Sequence, residues 1–389
     1  MPPFDKLLPE TSELLNFVPS LIKKTFPVPK KYRSALPSQI KELSSLLTNK
    51  RGDRSLSYMG RPNYLNAYLH YFLPWNLYRL CFLLPALNLK LNPGDTITDL
   101  GSGPLTFASA LWIARPDLRK FPLEINCIDR SSPALEAGSV FFSALCASTG
   151  AEGNALWKIK PIREDIDFRR QALRKEKKSN LVCAVNLLNE IYEKIPHNNA
   201  EKLKLAAANT AQLMHSMALP GSSILTVEPG VPQSGRFISL LRSAFIELER
   251  PPVSPCTHTE TCPFGGSPAV SEKKRWCHFA FEAADAPKEL LRLSTAAGLP
   301  KERLVLSYLL TGQIPQKNAN NALRVISDAF PLPQNRFGRY GCSSAGLVLL
   351  EGEKKRIEKI RSGDLVSASD YQWTDVRDTK SGALILEVK

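Results

Sequence analysis

Apolar residues recur at helical spacing from Leu7 to about Leu47, broken by the stretch FPVPKKYRSALPS, and again in a second block that runs to Leu89. Both blocks predict helices joined by basic loops. The densest apolar run, LNAYLHYFLPWNLYRLCFLLPALNL, has the length of a membrane span. His70, Pro74, Asn76 and Arg79 interrupt it, so buried helices are expected and no membrane. After Pro93-Gly94 the pattern changes. TITDL, LEINCIDRS, SNLVCAVNLLNEI and SSILTVEPG read as short buried strands, and amphipathic stretches such as AEKLKLAAANTAQLMHSMALPG and GRFISLLRSAFIEL read as helices. Strands alternating with helices predict an α/β, doubly wound parallel sheet. LVLSYLLTG and GLVLLEG are two further strand candidates.

The expected division is a helical N-terminal region over 1–90 and a sheet domain over 91–350. A cysteine-rich insertion at 251–280 interrupts that domain, and a basic C-terminal extension covers 351–389. No internal repeat or extended low-complexity segment stands out.

Lys and Arg number 51 against 37 Asp and Glu, a formal net charge of +14. Such an excess points to a polyanionic partner, because cationic side chains displace the counterions condensed on phosphates. An acidic membrane surface would account for the charge less economically. The first residues carry Asp5, Glu10 and Glu13 and no uninterrupted apolar core, unlike a secretory signal or an acid-poor transit peptide. A bacterial cytoplasm is therefore expected ahead of a mitochondrial matrix. In a reducing compartment clustered cysteines favour metal or redox chemistry over disulfides. Nothing in the sequence points to a homo-oligomer.

DLGSGPLT places Asp99, Gly101 and Gly103 at a strand-to-helix turn, where backbone N–H groups can approach a ligand. A dinucleotide turn would need a third glycine where Thr106 stands, which weakens nicotinamide binding. The acid ahead of the glycines instead resembles the first motif of class I S-adenosylmethionine-dependent methyltransferases, a Rossmann-like fold, with Leu105 at the third glycine's place. That resemblance implies that the turn wraps the methionine half of the cofactor. Asp129, at the end of the next strand, would hold the ribose diol, since a carboxylate accepts two hydrogen bonds. Asp165 would lie beside the adenine, and Asn186 on the loop after the fourth strand would complete the set. That loop, VNLLNEIYE, offers Asn186, Asn189 and Glu190 but lacks the Pro-Pro-aromatic of amino-group methyltransferases. Cys183 sits inside an apolar strand and reads as an inert buried thiol. No catalytic residue is assigned, and whether the chain is an enzyme stays open at this stage.

The eight cysteines are unevenly placed. Cys256 and Cys262 lie in SPCTHTETCPFGG, Cys277 in KRWCHFAF and Cys342 in RYGCSSAG. Four thiolates can hold a zinc ion or an iron–sulfur cluster, and the C-x5-C loop suits the larger cluster better. His258 and His278 are further ligand candidates. TDLGSGP, TVEPG, PCTHTETCP, WCHF and the late Cys342 together resemble the methyltransferase-like assembly factors of the mitochondrial small ribosomal subunit and their bacterial relatives, from about Gly60 to Leu350. The resemblance implies a 4Fe-4S cluster on Cys256, Cys262, Cys277 and Cys342, and contact with small-subunit rRNA during assembly. KIKPIR, FRRQALRKEKKSN and EKKRIEKIR are the densest basic runs. Arg169, Arg170, Arg174, Lys175, Lys177 and Lys178 are expected to follow a phosphate backbone, with few aromatics for base stacking.

The function expected is thus an iron–sulfur-containing factor of the small ribosomal subunit on a methyltransferase scaffold. The alternatives are an active S-adenosylmethionine-dependent rRNA methyltransferase and a zinc-stabilised methyltransferase of small molecules.

Overall fold

The computed structural model describes residues 4–48, 58–151, 156–169, 178–196, 199–265, 275–312, 322–367 and 371–388. The N-terminal region is helical, as its periodicity predicts: α1 (Pro9–Thr25), α2 (Leu36–Thr48), α3 (Pro62–Ala67) and α4 (Leu73–Leu83). Pro9 starts α1 where a missing N–H costs nothing, and Lys23 and Lys24 complement the dipole in its last turn. Between α3 and α4 the chain widens into a π-turn over Tyr68–Phe72, with the Leu73 N–H reaching back to the Tyr68 carbonyl. Pro74 begins α4 without an N–H to donate, which accommodates the widened register. Almost every residue of α4 is buried, so the long apolar run is a core helix. Among the described residues no helix is long and apolar enough to cross a membrane.

The main sheet follows, with the elements β1 (Thr96–Leu100), α5 (Thr106–Ala114), β2 (Leu123–Asp129), α6 (Ser132–Ser148), β3 (Trp157–Arg163), β4 (Ser179–Val185), α7 (Asn189–Tyr192), α8 (Ala200–Met217), β5 (Ala218–Pro229) and α9 (Pro232–Glu247). It closes with β6 (Pro252–Ser254), β7 (Phe279–Glu282), α10 (Lys288–Ala296) and β8 (Arg303–Thr311). The strand order is β3-β2-β1-β4-β5-β8-β6, with β7 also on β8. Strands β1 to β5 pair in parallel and β8 runs antiparallel to β5. One core joins α1, α4, α5 and α6 to one face of the sheet, and α8 and α9 cover the other. The order reverses at β1 and β4, and in doubly wound sheets that crevice is where ligands bind. This is the α/β class I methyltransferase fold.

The C-terminal part differs from the expected division. The elements β9 (Ala322–Val325), β10 (Phe330–Pro331), β11 (Arg336–Ser343), β12 (Gly346–Glu353), α11 (Lys354–Ile357), β13 (Leu365–Ser367), β14 (Tyr371–Arg377) and β15 (Leu384–Val388) build a second sheet in the order β13-β9-β11-β12-β15-β14. Its own core holds Leu323, Val325, Val348, Leu350, Ile357 and Leu386. The boundary expected at 350 therefore falls inside β12, and the described residues beyond it include the strands β13, β14 and β15 of the same second sheet. GLVLLEG is a strand, but β12 pairs with β15 across the supposed boundary, a long-range pairing that local periodicity does not reveal.

Candidate functional site

A cavity of about 670 Å³ opens at the carboxyl ends of β1, β2 and β4, within the size range of small-molecule sites. Gly101, Gly103 and Thr106 line it after β1, Asp129 and Ser131 after β2, Asp165 after β3, and Asn186 and Glu190 after β4. Met59 and Tyr68, from the N-terminal region, complete the wall. Five of the six residues expected to contact a cofactor are thus brought together here. Asp99 is the exception. It lies on β1 beneath the turn, 1% exposed, where Cys183 on β4 donates to its Oδ1 at 3.4 Å. Burial pushes its carboxyl up to about 7, and its Oδ2 has no partner. Cys183 is held fully protonated by burial and by Asp99, so it is an inert thiol.

Local geometry explains the turn. Gly101 has φ +67, and a Cβ there would meet the Leu187 side chain at 2.6 Å. The positive φ is what favours glycine here. Asp129 Oδ2 accepts from the Gly103 N–H and Oδ1 from the Ser131 N–H, both at 2.8 Å. The carboxylate ties the ends of β1 and β2 together, and each oxygen keeps a second acceptor site. Burial nevertheless raises its pKa. Arg130 and Glu190 pair at 3.0 Å at the cavity wall. Asn186 adopts φ 56, a left-handed conformation uncommon outside glycine, and its buried Oδ1 has no partner. The residues fit an adenosyl ligand: glycine backbone, a carboxylate at the end of β2 and an unpartnered amide oxygen.

Sequence reasoning missed Tyr68 and Glu228. Tyr68 lay inside an apolar run and carried no motif. Glu228, at the end of β5, is fully buried and accepts from the Leu188 N–H at 2.8 Å and the Tyr192 hydroxyl at 3.4 Å. It fixes the loop that carries Asn186. Burial pushes its pKa up to about 8. The acid in TVEPG was a visible signal, but its use depends on a loop forty residues away.

The thiols converge from three chain segments. Strand β6 and strand β7 pair end to end along the same edge of β8, so the chain leaves the sheet before Cys256 and re-enters it after Cys277. Cys342 arrives on β11, opposite Arg324. His258 Nε2 lies 3.4 Å from Cys342 Sγ. Burial raises the pKa of Cys256, Cys277 and Cys342, and the sulfurs raise one another's further: Cys277 feels Cys256, Cys262 and Cys342, and Cys342 feels Cys262 and Cys256. The buried Arg242 donates to the carbonyls of His258 and Glu260, both at 2.8 Å, and its Nε has no acceptor. His278 instead sits against the Trp276 carbonyl and ring. Among the described residues no group of three or more His, Cys, Asp or Glu is arranged to hold a single metal ion.

Of the basic run, Arg170, Arg174, Lys175 and Lys177 lie outside the described residues. Arg169 is engaged by Asp167 through two bonds of 2.8 and 3.0 Å.

Among solved structures, the chain is similar to an S-adenosylmethionine-dependent methyltransferase from Thiobacillus denitrificans in complex with S-adenosyl-L-homocysteine. The identity is 15%, over 62% of this chain and 92% of that one, with a TM-score of 0.34. A second such methyltransferase, from Geobacter sulfurreducens and also with S-adenosyl-L-homocysteine, gives 13% identity over 71% and 98%, with a TM-score of 0.33. Likeness at this level carries no inference about ligand or activity; the fold assignment stands on the strand order above. No curated protein matches the chain. The family model described as mitochondrial small ribosomal subunit Rsm22 matches residues 87–336. That span covers more than half of the sequence, from just before the glycine turn through Cys256, Cys262 and Cys277, and the chain belongs to the mitochondrial small ribosomal subunit Rsm22 family.

Proposed function

We propose that the protein is an rRNA-binding assembly or translation factor of the small ribosomal subunit, built on a methyltransferase scaffold, whose four clustered cysteines hold a 4Fe-4S cluster. The observation that carries this reading is the convergence of Cys256, Cys262, Cys277 and Cys342 from three chain segments, with His258 Nε2 3.4 Å from Cys342 Sγ and the cations Arg242 and Arg324 beside them. Four thiols with adjacent positive charge suit the soft ligation and net negative charge of an iron–sulfur centre. The site would pin the second sheet to the first, together with Arg324 Nε donating to the Pro255 carbonyl at 2.9 Å and the Ala280 N–H donating to Ser362 at 3.1 Å. The family description is mitochondrial, whereas the sequence reading favoured a bacterial cytoplasm; the thiol chemistry needs only a reducing compartment. The net charge of +14 supports the RNA partner. Binding to small-subunit rRNA should fall steeply as salt rises, by counterion release. A shallow, salt-insensitive interaction would overturn the RNA reading.

A second reading, active methylation of rRNA, is favoured by Asn186. A strained, non-glycine residue with a free buried acceptor at a cofactor cavity is the kind of feature that positions an acceptor group. Transfer of a labelled methyl group to small-subunit rRNA, lost in Asn186→Ala, would select this reading. Cofactor binding without transfer would leave the structural role.

A further inference from the structure

Two buried cations bracket the thiol segment. Arg242, on α9, is 3% exposed, and Arg324, on β9, is 7% exposed. They reach the segment from different layers, since α9 packs on the first sheet and β9 is a strand of the second. Arg324 Nε donates to the Pro255 carbonyl at 2.9 Å, and its Nη1 donates to the Gly363 carbonyl at 2.7 Å. The single Nη2 of Arg242 donates to both the His258 and Glu260 carbonyls, so the chain between Cys256 and Cys262 folds around this guanidinium. Carbonyl dipoles leave a positive charge unmet, and among the described residues neither arginine forms an ion pair. The buried Nε of Arg242 has no acceptor.

Taking two guanidiniums out of water without a counter-charge is unfavourable. The thiols are what these charges act on. Burial raises the pKa of Cys256, and Arg242, through charge and a hydrogen bond, and Arg324, through charge, oppose that rise. Arg242 also opposes the rise at Cys277 and Cys342. Four thiolates around a doubly positive metal–sulfide core make a dianion, which two fixed guanidiniums match in number and sign. A reduced centre carries one further negative charge, so nearby cations favour it over the oxidised one. We propose that Arg242 and Arg324 are the built-in counter-charge of the thiol centre and raise its reduction potential, with the free Nε–H of Arg242 available to a sulfur. This rests on the reading of the four cysteines as ligands of an iron–sulfur cluster. Both arginines are positioning residues that act through the sulfurs and the loop they hold.

A redox titration with dithionite, followed by visible absorption on the full chain purified without oxygen, tests this, with iron content measured beside it. Arg242→Gln removes the charge and keeps an amide donor for the carbonyls. It should favour the oxidised form by about tenfold, a potential lower by about 59 mV for one electron. Arg242→Lys restores the charge without the planar fork and should bring the equilibrium back to within about threefold of the parent. Arg324→Gln should shift the potential in the same direction as Arg242→Gln, and it carries the test if that variant holds no iron. Iron lost from both glutamine variants but kept in Arg242→Lys would also support the counter-charge. Iron lost from all three, or a potential unmoved or raised in the glutamine variants, would overturn the proposal and leave the iron–sulfur reading standing. A parent chain without iron or colour would overturn that reading and this inference together.

Discussion

Asp129 has two tasks in this fold. Its oxygens tether Gly103 and Ser131 at the mouth of the cavity. Asp129→Ala should weaken S-adenosylmethionine binding by about 1–3 kcal/mol in calorimetry, the loss expected when a charged acceptor is removed. An unchanged affinity would confine Asp129 to the tether. Glu228 makes a different prediction. Its folded pKa, about 8, lies above that of an unfolded glutamate, so the folded chain keeps a proton that the unfolded chain releases. Its contribution to stability is full below about pH 4.5 and is lost as pH rises through about 8. Glu228→Gln cannot ionise, so its melting temperature should fall less between pH 5 and pH 8 than that of the parent. Parallel curves would show that other groups set the slope. At this scale the sequence was informative where chemistry is local. Gly101, Gly103 and Asp129 are legible because strand ends and turns are read from neighbours. Tyr68 and Glu228 are not, because the cavity wall that Tyr68 joins and the loop that Glu228 holds are brought near only by the fold, and Asp99 reads as a ligand although β1 buries it beneath the turn.

Elements carry the next constraint. Helix α6 crosses so close to the glycine turn that a Cβ on Gly138 would stand 2.4 Å from the Pro104 carbonyl carbon. Pro104 and the α6 backbone are both rigid, so neither can yield by a side-chain rotation. Gly138→Ala should therefore destabilise the chain by about 1–3 kcal/mol, the usual cost of overpacking, and should lower cofactor affinity by moving the turn. Chemical denaturation together with a binding titration would measure both, and an unaffected midpoint would mean that α6 shifts freely. Helix and strand identity was largely visible here. The 3.6-residue spacing of the N-terminal blocks and the buried runs of β1, β2, β4 and β5 have strong local patterns. The π-turn was not visible, since it comes from a register change at Pro74 and leaves the hydrophobic pattern intact.

At the largest scale the described strands form two sheets, linked by Arg324 donating to the Pro255 carbonyl and by the Ala280 N–H donating to Ser362. The doubly wound sheet was predictable from alternation, but the second sheet was not, because β9, β11 and β13 pair over distances that no periodicity records. Cys342 bridges the two levels. Its sequence position placed it near the end of the expected methyltransferase domain, whereas it sits on a strand of the second sheet facing thiols that emerge between β6 and β7. If an iron–sulfur centre occupies this place, it is the joint between the sheets, and losing it should lower stability as well as remove colour. The direct measurement is iron content read with visible absorption on the full chain purified without oxygen, beside Cys342→Ser. The account predicts about four irons per chain and broad thiolate-to-iron absorption in the parent, with both lost in the variant. A Cys342→Ser chain with full iron, or a colourless parent holding one zinc ion, would contradict it.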